Sequence, residues 1–105
     1  NPTSLPSAKD RTEFQYRKAR LAHLTGELVT ARSLYLKTIE QSGFNSWYFA
    51  PSSALQLGYI LESQGDKLEA KKFFEKAISY RNHAYKNSID SKAKSALDQL
   101  ESPTR

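Results

Sequence analysis

The 105-residue sequence predicts an all-α protein of antiparallel helical hairpins, with about five helices including a C-terminal capping helix. Three observations support this fold class. Apolar residues recur at the three- and four-residue spacing of one helical face on both sides of Gly65, which interrupts the pattern. The same pattern surrounds Gly26, 39 positions earlier, so that Tyr35 aligns with Phe74. A last amphipathic segment near the C-terminus provides a helix that closes the stack.

The composition limits the classes of function. With 38% hydrophobic residues, the chain is long enough for one small domain. Because cysteine is absent, disulfides, thiolate metal sites and thiol nucleophiles are excluded. No apolar run approaches the roughly 18 residues of a membrane span. Asn1 to Ser7 lacks the features of a signal peptide, and the absence of methionine predicts a piece of a longer protein or a processed product. The sequence does not predict the cellular compartment of the protein.

The first helix is predicted from about Arg11 to Thr25, after a flexible lead-in over residues 1–9 that is rich in proline and small polar residues. Asp10, followed three positions later by Glu13, is typical of a capping box at a helix start. Gly26 can adopt the positive φ that ends a helix. The predicted apolar side of this helix consists of Phe14, Tyr16, Ala19, Leu21, Ala22 and Leu24.

The remaining helices follow from similar signals. A second helix is predicted from about Leu28 to Ser42, with Gly43 just past its end. Pro51 suits the first turn of a third helix that ends at Gly65, and Asp66 can cap a fourth that reaches Ile78. The repeat units are thus about 11–43 and 51–82. The capping helix covers about 88–100, and a polar tail follows at 101–105.

An aromatic segment, Phe44 to Pro51, joins the two units and contains the three adjacent rings of Trp47, Tyr48 and Phe49. It is either an exposed ligand platform or an apolar connector that packs over the junction between the hairpins. Exposed rings in a row favour aggregation, so burial is the preferred interpretation.

The spacing of small and aromatic residues in the two units resembles that of tetratricopeptide repeats. In the second unit, numbered from Pro51, the matching positions are Leu57, Gly58, Leu61, Gly65, Asp66, Ala70, Phe74 and Ala77. In the first unit they are Ala19, Gly26, Ala31 and Tyr35, whereas Lys18 and Thr38 depart from the pattern. Residues 46–58 and 85–97 also resemble the C-terminal segment of tetratricopeptide proteins of the inclusion-body-clearance type.

This resemblance implies a non-catalytic protein–protein interaction scaffold, the terminal part of a longer repeat array, that binds a peptide or helix on its concave face. Such repeats present the first helix of each unit to that face, so the predicted binding residues are Glu13, Tyr16, Arg20, His23, Ser52, Leu55, Tyr59 and Glu62. The clamp for a C-terminal carboxylate found in some members is not supported. Tyr16 and Arg20 occupy two of its positions, and no asparagine follows.

Other functions have less support. The two histidines, His23 and His83, are 60 positions apart and have no spacing typical of a metal site. No nucleophile elbow and no phosphate-binding glycine loop occur, so neither an enzyme nor a cofactor is predicted. The alternative function is a basic module that binds a polyanion, RNA or an acidic membrane surface. It is suggested by the net charge of +5, the pI near 9.5 and the rings of residues 47–49.

Partners are predicted only by class. A protein or peptide of unknown identity is expected, and nucleic acid is the less favoured partner. The cluster Arg17, Lys18 and Arg20 could hold an acidic peptide, although solvated charge is the simpler interpretation. Two and a half repeats are fewer than the roughly three that a stable stack needs, so self-association or contact with upstream repeats is a further expectation.

Overall fold

The computed structural model describes residues 7–101, which form five α-helices and no strand. The helices are α1 (Ala8–Leu24), α2 (Leu28–Ser42), α3 (Phe49–Ser63), α4 (Lys67–Ser79) and α5 (Lys86–Glu101). Each helix packs against the next one along the chain, and α3 also contacts α1 and α5. The predicted all-α stack of helical hairpins is confirmed.

The turns inside the two hairpins have the same geometry. Gly26 and Gly65 adopt φ values of +84° and +85°, a region that only glycine occupies without steric cost. In each turn the amide after the glycine donates to the carbonyl five residues earlier, Glu27 to Ala22 and Asp66 to Leu61, both at 2.9 Å. The repeat seen in the sequence is therefore also a repeat of backbone structure.

Small residues and one large ring pack each hairpin. Tyr35 in α2 and Phe74 in α4 are fully buried, and so are Ala19, Ala31, Ala70 and Ala77. Gly58 in α3 lies so close to the Phe74 ring that a Cβ built on it would be 2.6 Å from Cδ1. A glycine at this position is what allows α3 and α4 to approach each other with a phenylalanine between them.

The start of α1 corrects the sequence prediction. The Ser7 hydroxyl, rather than the Asp10 carboxylate, caps the helix by accepting a hydrogen bond from the Asp10 amide at 3.0 Å. Asp10 consequently lies inside the first turn, and the predicted flexible lead-in was wrong for Ala8 and Lys9, which are helical. Its residues 1–6 lie outside the described part of the chain.

The other boundaries agree with the prediction or extend it slightly. α2 begins and ends at the predicted residues, and Pro51 lies in the first turn of α3. α5 begins at Lys86, two residues before the predicted start. The Lys86 ammonium group donates to the Tyr80 carbonyl at 2.7 Å and to the Asp90 carboxylate at 2.8 Å, which ties the start of the helix to the end of α4. Of the predicted polar tail, residues 102–105 lie outside the described residues.

Half of the predicted apolar side of α1 is not packed. Ala19 and Ala22 are buried and Tyr16 is half-buried, but Phe14, Leu21 and Leu24 are exposed. The predicted apolar side is thus broader than the buried one, because within residues 7–101 α2 and α3 cover only part of the helix. In the connector, Phe49 is buried and Trp47 and Tyr48 are half-buried, whereas Phe44 is fully exposed.

Candidate functional site

A groove runs across the face formed by α1, α3 and α5, the first helices of the two hairpins and the closing helix. Its volume is about 340 Å³. Leu55 and Ile89 are buried and form an apolar base. The other residues that line it are Tyr16, Arg20, Tyr48, Ser52, Gln56, Tyr85, Ser88 and Lys92.

Three tyrosine rings cross this groove in contact with one another. The rings of Tyr16 and Tyr48 meet edge to face with centroids 5.9 Å apart, and those of Tyr48 and Tyr85 do so at 5.0 Å. The Tyr16 and Ser52 hydroxyls share a hydrogen bond of 2.6 Å, which holds the first ring against α3. Tyr85 is placed by a left-handed backbone conformation with φ of 65° just before α5.

The charges that line the groove are of one sign. Arg20 projects from α1 and Lys92 from α5, and both are cationic, while no carboxylate lines the groove within the described residues. Burial raises the pKa of Tyr48 above the ordinary tyrosine value of 10.0, and its hydroxyl is a hydrogen-bond donor at neutral pH, as that of any tyrosine is. The lining therefore combines an apolar base with hydroxyl donors and two cations, a set suited to acceptor groups and carboxylates.

Four of the residues predicted for the concave face come together here: Tyr16, Arg20, Ser52 and Leu55. Leu55 is buried, so it can contribute to ligand binding only as part of the base of the groove.

The other four predicted residues do not line the groove. Glu13 forms an ion pair with Arg17 at 2.8 Å, and the Tyr59 ring packs edge to face on Phe74 at 5.5 Å. Glu62 is half-buried elsewhere on α3.

His23 is the fourth of these residues, and it contacts the hairpin core. Its Nδ1 lies 3.0 Å from the Tyr35 hydroxyl. Burial and, to a lesser extent, the charge of Arg20 lower the pKa of His23, so the imidazole is neutral at pH 7. Burial also raises the pKa of Tyr35 to about 12. This arrangement gives the buried Tyr35 hydroxyl a partner, which is a structural role.

The side of the groove contributed by α5 is absent from the residues predicted from the sequence. Ser88, Ile89 and Lys92 lie on one face of that helix because of their three- and four-residue spacing, and Tyr85 directly precedes the helix. The signal was present, but the segment was interpreted only as a cap for the stack. Tyr48 was assigned to a connector, although it lies at the centre of the row of rings.

The features behind the polyanion alternative are partly engaged in the fold. Several basic side chains have acidic partners, including Arg17 with Glu13 and Lys72 with Glu69. Phe49 is buried, and Tyr48 packs between other rings, so these two are not free to stack on bases. Within residues 7–101, no three His, Asp or Glu side chains form a group that could hold a metal ion.

None of the described helices is both long enough and apolar enough to cross a bilayer.

Comparison with known proteins gave one family match: residues 51–83 match the tetratricopeptide repeat. This stretch contains α3 from Pro51 onward and all of α4. No curated protein and no solved structure matches the chain. Families with this repeat are generally non-catalytic scaffolds, and in this chain the match covers one repeat, residues 51–83.

Proposed function

We propose that the protein is a non-catalytic interaction scaffold that holds a peptide or a helix in the groove between α1, α3 and α5. The observation that carries this proposal is the composition of the groove, whose lining combines an apolar base, tyrosine hydroxyls and two cations without a carboxylate among the described residues. Kinship with the inclusion-body-clearance type belongs to the same proposal. A role as the terminal part of a longer array is the alternative to self-association, because upstream repeats would cover the same side of the first hairpin.

The groove favours an acidic segment of chain. Arg20 and Lys92 lie on the two helices that flank α3, so a bound segment would pass a cation on each side. Neighbouring helix axes are about 8–10 Å apart, and the groove therefore spans roughly 20 Å. An extended peptide covers that distance with about six residues. The expected ligand is a short segment with at least one carboxylate and an apolar side chain for the base formed by Leu55 and Ile89.

The proposal can be tested with a displayed library of random heptapeptides, from which binders are selected and measured by fluorescence anisotropy. Selected sequences should be enriched in Asp and Glu. Lys92→Glu should weaken binding about 10-fold or more, because it replaces a charge-assisted hydrogen bond with repulsion. Lys94→Glu is the matched control, since it changes the same charge on α5 but lies outside the groove. Equal affinities for the two variants would contradict the proposal.

The polyanion alternative, which the net charge of +5 supports, is separated by its salt dependence. A single-stranded RNA 20-mer and vesicles containing phosphatidylserine are suitable probes. Binding of either that is tight at low salt and falls steeply as salt rises would favour the alternative. Peptide binding that depends on Lys92 and persists at physiological salt would favour the scaffold.

A further inference from the structure

Within residues 7–101, no helix covers the apolar surface at the N-terminal end of the stack. This surface, the N-terminal face, is formed by Phe14, Lys18 and Leu21 of α1 together with Glu27, Thr30 and Leu34 at and within α2. Phe14 and Leu21 are 64% and 63% exposed. A shallow cleft of about 310 Å³ lies between the two helices and is lined mainly by apolar atoms of Leu21, Ala22 and Leu34.

The internal repeat shows what such a face normally contacts. Moved along the chain by 39 residues, Phe14, Lys18 and Leu21 fall on Ser53, Leu57 and Ile60. These three equivalents are buried at 0%, 1% and 1% exposure, because the first hairpin lies against them. The N-terminal face is thus the same surface of the repeat without the helix that covers it in the second hairpin.

The covering helix also shows which chemistry fits. The cleft on the second hairpin is lined by Leu57, Leu61, Asp66, Glu69 and Phe73, which are the 39-residue equivalents of Lys18, Ala22, Glu27, Thr30 and Leu34. α2 contributes Arg32 and Leu36 to this cleft. The cleft therefore combines one cation with the carboxylates of Asp66 and Glu69, and one leucine with the apolar side chains of the second hairpin. Arg32 also donates to the Gln64 side chain at 3.2 Å. An occupant of the N-terminal face therefore needs a cation next to an apolar side chain.

The exposed stripe of α1 has this chemistry itself. Lys18 lies between Phe14 and Leu21, with its ammonium group 5.4 Å from the Phe14 ring centroid. The carboxylate available on the same face is Glu27, which occupies the position of Asp66. A surface with one cation, one anion and an apolar centre can be complementary to a second copy of itself when the two are related by a two-fold axis.

We propose that the N-terminal face is a homodimer interface, in which α1 of each copy lies on the cleft of the other and Lys18 of each copy faces Glu27 of the other. Among the described residues, the opposite end of the stack does not offer a similar surface. The outer side of α5 is polar, with Asn87, Asp90, Ser91, Lys94, Ser95 and Asp98. Association through the N-terminal face therefore closes at two copies and does not continue into a filament.

Sedimentation equilibrium of the 105-residue chain tests the proposal. The wild type should sediment with twice the monomer mass. Leu21→Glu should weaken the dimer at least about 100-fold, because the buried charge occurs twice in a two-fold interface. Leu68→Glu is the matched control, since Leu68 is 72% exposed on α4 and does not belong to the N-terminal face. That variant should remain dimeric, and circular dichroism should show that both variants keep their helices.

Charge reversal tests the pairing of the two copies. Lys18→Glu and Glu27→Lys should each weaken the dimer about 10-fold, and the double variant should restore wild-type affinity because the opposite charges again face each other. A wild-type chain that stays monomeric at millimolar concentration would overturn the proposal and leave the face to a helix from elsewhere. Equal effects of Leu21→Glu and Leu68→Glu would also overturn it. Neither result bears on peptide binding through Lys92, which lies on a different surface.

Discussion

Gly58 sets the distance between α3 and α4, because the Phe74 ring occupies the space where a side chain would begin. The equivalent pair in the first hairpin is Ala19 and Tyr35, both fully buried. The two hairpins therefore pack a small residue against a ring at the same two positions. The small residue is alanine in the first hairpin and glycine, which lacks the methyl group, in the second. Packing at each position is adjusted to its own ring, and the residues are not interchangeable.

Gly58→Ala should destabilise the protein by up to about 2 kcal/mol. Overpacking in a close-packed core costs about 1–3 kcal/mol, and the better helix propensity of alanine recovers up to about 1 kcal/mol. The free energy of unfolding in urea measures the effect. Ala19→Gly is the reciprocal control, and it should also destabilise, by about 1 kcal/mol, since it loses propensity and leaves a small gap under Tyr35. A Gly58→Ala variant more stable than wild type would show that the helices separate freely at this point.

At the scale of the elements, the starts of α2 and α4 form a natural pair. The N-cap residues Glu27 and Asp66 have nearly the same backbone conformation, with ψ of 74° and 73°. The Asp66 carboxylate accepts a hydrogen bond from the Glu69 amide at 3.2 Å, whereas the longer Glu27 side chain makes no capping bond. Aspartate has the shorter reach that an N-cap requires.

Asp66→Glu should therefore cost about 0.5–2 kcal/mol of stability while the net charge stays constant. The loss should appear in urea unfolding monitored by helical circular dichroism. Glu75→Asp, an exposed position within α4, is a control that shortens a carboxylate side chain without touching a cap. If the Asp66 variant matched the wild type, the carboxylate would have no capping role and the turn at Gly65 alone would start the helix.

The elements also show which features a sequence can predict. The turns at Gly26 and Gly65 were predictable because their cause is local: a glycine at positive φ follows a helical pattern. The exposure of Phe14 and Leu21 was not, because helical spacing indicates which residues share a face but not whether another helix covers that face. At the N-terminus, Ser7 and Asp10 are both good capping residues. The start at Ser7 gives a helix longer by several hydrogen bonds.

The groove was predictable only in part for a related reason. Tyr16, Arg20, Ser52 and Leu55 follow from the positions of first helices in a repeat. The contribution of α5, in contrast, depends on how the closing helix lies against α3, which is a tertiary contact between segments about 30 residues apart. Lys92 has the appearance of an ordinary surface lysine in the sequence, and its role in the proposed groove arises from its position opposite Arg20.

For the whole molecule, the stack has a centre and two weaker ends. α3 contacts all four other helices, and eleven of its fifteen residues are buried. α1 has three buried residues in seventeen and α5 three in sixteen. In stacked repeats each unit is stabilised mainly by its neighbours. Opening α1 or α5 breaks contacts with two helices, whereas opening α3 breaks contacts with four.

Amide hydrogen exchange should therefore be slowest in α3 and α4 and fastest in α1 and α5. The measurement, by mass spectrometry of peptic fragments, should use Leu21→Glu, since the proposed dimer would protect α1 in the wild type. In that variant, exchange in α1 should be at least about 10-fold faster than in α3, because local opening of a terminal helix costs only part of the global unfolding free energy. Dimerisation of the wild type at high concentration should slow exchange in α1 and in the N-terminal half of α2 and leave α5 unchanged. Equal protection in all five helices would instead mean that the chain unfolds as one cooperative unit and that its ends are no weaker than its centre.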